Sequence, residues 1–183
     1  MSILSRGNLT RRICLDALLC GLAMMLSYLE VLLPLQALLP LPGFRLGLAN
    51  VVVLAVFCLL SPWDAAIVSF VRIFLMGVLF GSVTSFYFSL LGGFCAFLML
   101  LLLKTMGKRC SFVGASILSA AAHNTGQILA AVTLFGVTLI PSYLPVLLFA
   151  SVFFGGLIGM LLNLLMPRVQ AASARILGNR REV

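Results

Sequence analysis

Long apolar runs, closed by prolines or by short basic stretches, divide the chain into six predicted helices. The first spans about Arg12 to Leu33 and stops at Pro34. The loop PLQALLPLPGFR follows, where Pro40 and Pro42 oppose a continuous helix. The second run, about Leu46 to Leu60, is short and ends at Ser61-Pro62. The third covers about Trp63 to Phe80 and the fourth Ser82 to Leu103. After the basic linker KTMGKR, the fifth covers about Phe112 to Phe135; the sixth, Pro141 to Met166, is closed by Pro167 and Arg168.

Composition turns these helices into membrane spans. The chain is 63% hydrophobic, 9% charged and has a mean hydropathy of +1.24. No soluble core of 183 residues hides that much apolar side chain, so the expected fold is a single all-α bundle of six transmembrane helices. Residues 1–11 and 167–183 then form terminal segments around a membrane domain, 12–166. The net charge of +8 does not form one patch, which argues against nucleic acid. It sits in Arg6, Arg11 and Arg12, in Lys104, Lys108 and Arg109, and in Arg168, Arg175, Arg180 and Arg181. Six crossings with a cytoplasmic amino terminus put all three groups inside, as positive-inside sorting requires. Arg45 then lies outside and Arg72 within the third helix. Arg11-Arg12 before an apolar run imitates a signal peptide, but the run is too long and is read as a retained helix.

Against this hydrocarbon stand Glu30, Asn50, Arg72, His123, Asn124 and Gln127. A polar side chain in lipid is costly unless it is paired or faces a cavity, which makes these the candidate ligand-binding residues. Helix rise places Arg72 roughly 14 Å and His123 roughly 17 Å from the inner ends of their helices. Glu30 and Asn50 fall toward the outer ends, and Arg45 at the rim. His123, Asn124 and Gln127 are spaced to share one face, which Ala120 and Ala131 continue with little bulk. An outward cavity bounded by helices two, three and five is expected. Its guanidinium and imidazole suit an anionic group, and its Leu, Phe and Met walls an aromatic or isoprenoid body. The structural alternative pairs Arg72 with Glu30 simply to hold helices one and three together.

Small residues four apart, Ala17/Gly21 and Ala65/Ser69, form faces suited to packing within the monomer or to docking a membrane partner. Gly92/Ala96 and Gly155/Gly159 repeat the spacing after GG pairs. The five cysteines have no CxxC pair and read as small buried hydrophobes. There is no GxxxxGK[ST] phosphate loop, and the single histidine has no carboxylate beside it. Neither catalysis nor a metal or other cofactor is expected.

The segments LGLANVVVLAVFCLL, VRIFLMGVLFGS, SLLGGFCAFLMLLLLK, AAAHNTGQILAA and YLPVLLFASVFFGGLIGMLLNLL resemble the Gx transporter, or heptaprenyl diphosphate synthase component I, family. That family is in turn similar to the substrate-binding (S) components of energy-coupling factor (ECF) transporters. The resemblance implies a six-helix protein of the bacterial cytoplasmic membrane that captures a scarce small molecule from outside. It also implies docking of the first three helices on a membrane scaffold coupled to two ATPases, with Ala17 and Gly21 matching the docking face as Ala-xxx-Gly rather than Ala-xxx-Ala. The synthase label implies an accessory subunit, because Asp16 and Asp64 stand far apart and cannot build the aspartate-rich DDxxD magnesium site of prenyl diphosphate synthases.

Overall fold

A computed structural model describes residues 6–32, 47–105, 111–136 and 140–177, and the elements within them are all helical. They are α1 (Arg6–Leu32), α2 (Asn50–Leu59), α3 (Pro62–Phe80), α4 (Val83–Thr105), α5 (Phe112–Phe135) and α6 (Ile140–Leu177). The Pro/Gly loop and the rim position given to Arg45 lie outside the described residues.

Local chemistry sets several boundaries. Ser61 caps α3 by accepting from the Asp64 N–H at 3.3 Å, with Pro62 in the first turn, where its missing donor costs nothing. Ser111 caps α5 in the same way, accepting from the Gly114 N–H at 3.1 Å. Gly136, at φ +90°, ends α5. Two predicted boundaries are corrected. α2 begins at Asn50, not Leu46, because Gly47 turns the chain at φ +80° and its carbonyl accepts from the Asn50 N–H at 2.9 Å. α6 runs through Pro167 to Leu177, since one missing backbone donor does not break a long helix.

Side-chain contacts fix the relative directions. Arg12 of α1 meets Asp64 and Ser61 at the start of α3, and Tyr28 meets Phe80 at the other end with ring centroids 4.9 Å apart. α1 and α3 therefore run parallel. Tyr87 and Thr133 join the start of α4 to the end of α5, while Gly155 and Gly159 of α6 lie on Ile117 and Val113 of α5. α4, α5 and α6 thus alternate, and Arg12, Lys104 and Arg168 belong to the same end of the bundle. α2 fills the centre. Its Ala49, Val52, Val53 and Val56 pack with Ala23, Ala65 and Val68 of α1 and α3. On its other side Leu54 meets Leu100, Leu162 and Met166 of α4 and α6.

Among the described residues, four helices are long and apolar enough to cross a membrane: α1 over Leu9–Leu32, α3, α4, and α6 over Pro145–Ala171. The other two differ for instructive reasons. α2 has ten residues and is only about 15 Å long, half of a hydrocarbon core of about 30 Å. α5 has the length but carries His123, Asn124 and Gln127.

The small-residue stripes separate cleanly. A Cβ on Gly159 would stand 2.5 Å from the Val113 Cα, and one on Gly126 would stand 2.5 Å from the Leu91 carbonyl oxygen, so these are backbone contacts inside the monomer. Ala65 and Ser69 are buried in the same interior, which corrects their assignment to a docking face. Ala17 is exposed, and Gly21 has nothing within 4 Å of its would-be side chain.

Candidate functional site

The polar residues gather where α2 begins. On α1, Ser27 and Glu30 are one turn apart and both buried. Arg72 of α3 is 5% exposed, and its Nη1 donates to the Ser27 Oγ at 3.0 Å. The Glu30 carboxylate accepts from the backbone N–H of Leu48, in the turn leading into α2. One residue earlier, Gly47 lies against the Asn50 amide and the His123 ring: a Cβ there would stand 3.0 Å from Asn50 Nδ2 and 3.4 Å from His123 Cδ2. The segment Gly47–Asn50 therefore links the α1/α3 charges to the imidazole of α5. This explains the sequence LGLAN residue by residue. Gly47 supplies the left-handed turn and the space, Leu48 the donor, Ala49 a side chain small enough for a fully buried position, and Asn50 the first turn of α2.

His123 is held from the other side by α4. A Cβ on Gly92 would stand 2.7 Å from His123 Cε1 and 2.9 Å from Nδ1, so the ring occupies the space that a side chain at 92 would need. Asn124 faces elsewhere. Its Nδ2 donates to the Leu147 carbonyl at 2.9 Å and to the Ser151 Oγ at 2.8 Å, both on α6. One residue turns a helix by about 100°, so Asn124 leaves the face shared by His123 and Gln127 and ties α5 to α6. The expected single polar face is corrected to that extent. The expected open space beside it is also corrected, since Ala131 packs on Phe88 and Ala120 adjoins Gly155.

Gln127 is 2% exposed, and neither its Oε1 nor its Nε2 makes a hydrogen bond. The same holds for the hydroxyl of buried Ser89 on α4 and for Asn124 Oδ1. Sequence reading missed Ser27, Ser89 and Ser151. Only the three-residue spacing of Ser27 and Glu30 could have hinted at the first, and serines are common in these helices.

Two cavities lie apart from this cluster. One of 260 Å³ is lined by Ala66, Ser69, Phe70, Ile73, Gly93 and Phe94 among others, between α3 and α4. The other, of 130 Å³, lies near the basic end between α2, α4 and α5. Residues 33–46, between α1 and Gly47 in sequence, lie outside the described residues. Among the described residues no three His, Cys, Asp or Glu side chains gather as metal ligands.

Such a structure defines a multi-pass helical membrane protein with a charged and amide-bearing cluster enclosed by apolar helices. The chain belongs to the heptaprenyl diphosphate synthase component I family, whose sequence model matches residues 19–165. That match includes every residue of the polar cluster and Gly21, while Ala17 lies just before it. No curated protein and no solved structure matches the chain.

Proposed function

We propose that this chain is the substrate-binding component of an ECF-type uptake transporter and is not itself an enzyme. It captures from outside a small molecule that is anionic and partly apolar, such as a quinone or isoprenoid precursor. The observation that carries this reading is Arg72, a permanent cation nine-tenths buried about 15 Å along α3, in a cluster drawn from α1, α2, α3 and α5. A cation at that depth is expensive and is characteristic of ligand pathways in membrane proteins. A carboxylate or phosphate there meets a bidentate guanidinium. α2 adds to this, because a half-length helix beginning at the cluster points its positive end toward it. The exposed Ala17 and Gly21 on α1 offer a smooth face to a membrane scaffold that brings two ATPases. The basic end faces the cytoplasm of a bacterial inner membrane by positive-inside sorting.

The family's name favours a second reading, a non-catalytic membrane subunit that assists heptaprenyl diphosphate synthesis. Affinity purification of the full chain from its native membrane, followed by identification of the proteins and small molecules that come with it, separates the two. Transport predicts copurified ATPases and a retained anion. A prenyl synthase partner without ATPases would replace the transport reading with the accessory one.

A further inference from the structure

The smaller cavity, of 130 Å³, is a cleft whose lining changes from charged to apolar over a short distance. Exposed Lys104, in the last turn of α4, and exposed Ser111, the cap of α5, stand on its rim. Leu54 and Leu100, both 2% exposed, form its floor. Leu100 is one turn before Lys104, so the cleft passes from cation to hydrocarbon within about 6 Å. α4 is apolar enough to cross a membrane from Val83 to Thr105, which sets Lys104 at the level of the lipid headgroups. Among the described residues no carboxylate pairs with Lys104; the ion pair at this end joins Arg12 to Asp64. The start of α5 adds to the positive rim, because the leading N–H groups of a helix lack partners within it.

That order of groups selects its occupant. A soluble anion uses the cation and leaves the apolar floor bare, and a plain hydrocarbon does the reverse. A phospholipid carries an acceptor-only phosphate above a chain, in the same sequence and at the same depth. At about 30 Å³ for each water-sized group, the 130 Å³ cleft holds roughly four carbons of one chain. The remainder lies in the bilayer around α4. We propose that this cleft between α2, α4 and α5 binds an anionic phospholipid. Its phosphate rests on Lys104 and the start of α5, and the first carbons of one acyl chain rest on Leu54 and Leu100. The site is separate from the polar cluster around Arg72 and depends only on the chain spanning a membrane.

The test offers the full chain, in detergent, an equal mixture of phosphatidylglycerol and phosphatidylcholine with identical oleoyl chains. Native mass spectrometry then counts the lipids that the protein retains. Phosphatidylglycerol is expected to be retained about fivefold more often, the worth of one basic side chain at a membrane surface. Lys104→Gln should bring that ratio near one, and Lys104→Arg should keep it. Cys58 is exposed and lines the cleft, so Cys58→Phe should fill it beside an intact charge and release the lipid. Arg168→Gln removes a charge at the same end but away from the cleft lining, and should leave the ratio unchanged. Equal losses from Lys104→Gln and Arg168→Gln would mean diffuse attraction to the basic end and overturn the site. A wild-type ratio of one, or full retention in Cys58→Phe, does the same. So does a lowered melting temperature of Lys104→Gln with its ratio unchanged, which would leave Lys104 only a cap for α4. Displacement of the lipid by inorganic phosphate would mark a free-anion site instead of a phospholipid one. None of these results touches the copurification test of the transport reading.

Discussion

Arg72 carries a charge that cannot be neutralised to a depth where water is scarce, and the fold answers it with a serine hydroxyl from α1. Under the ligand-binding reading, an anionic group meets this guanidinium with two parallel charge-assisted hydrogen bonds. Arg72→Gln is therefore expected to cost the copurifying small molecule on the order of 2–5 kcal/mol of affinity, the scale for breaking a desolvated charge pair. Arg72→Lys should recover part of it, because ammonium lacks the planar fork. Retention measured by mass spectrometry beside a melting curve decides between binding and scaffolding. Lower stability with unchanged retention would show that Arg72 only fastens α1 to α3. At this scale the sequence was informative where chemistry is rare. Glu30, Arg72, His123 and Gln127 stand out in an apolar chain, and each of the four is buried. Direction was not legible. That Asn124 turns to α6, and that the Arg72 Nη1 donates to Ser27, depends on helix rotations that spacing alone leaves open.

The helices themselves are held by close backbone approach, as expected where lipid removes the hydrophobic drive for association. α6 contains its own control. A Cβ on Gly159 would collide with the Val113 Cα at 2.5 Å, whereas one on Gly156, in the same apolar helix, would meet only the Ile117 Cδ1 at 3.9 Å. Gly159→Ala is expected to push α6 from α5 at a cost of about 1–3 kcal/mol, the range for overpacking, with Gly156→Ala close to neutral. Thermal melts of the two purified variants test this; equal melting temperatures would exclude the tight α5/α6 contact. Element existence was readable from hydropathy because each apolar run is long. The boundaries were less so. The start of α2 depends on Gly47 at positive φ and on the Glu30 carboxylate reaching the Leu48 N–H from a different helix, a tertiary event with no local signature. Pro167 reads as a stop in sequence but is carried within α6, because a proline removes one donor rather than the whole ladder.

At the scale of the molecule, charge and packing divide the surface into unlike regions. Arg12, Lys104 and Arg168 collect at one end, and the Arg12 guanidinium is locked there by Asp64 and Ser61, fastening α1 to the capped start of α3. α1 is otherwise peripheral, with Leu18, Leu22 and Met25 exposed beside Ala17 and Gly21. The glycines and alanines of the interior are small because a neighbour is already there. Among the described residues nothing lies within 4 Å of a side chain built at Gly21, so its smallness serves no contact there. Under the transport reading proposed above, a docking membrane protein uses that space, since a helix crossing at Gly21 can approach the α1 backbone directly. Gly21→Leu is accordingly expected to fold normally, melt at the wild-type temperature and retain its small molecule, yet lose the copurifying scaffold. Gly21→Ala, adding one methyl group, should lose less of it. Quantitative mass spectrometry of the partners recovered with each variant, beside melting curves, gives the answer. Wild-type recovery of partners with Gly21→Leu would free α1 from any docking role, and a lowered melting temperature would mean instead that Gly21 meets a segment of this same chain.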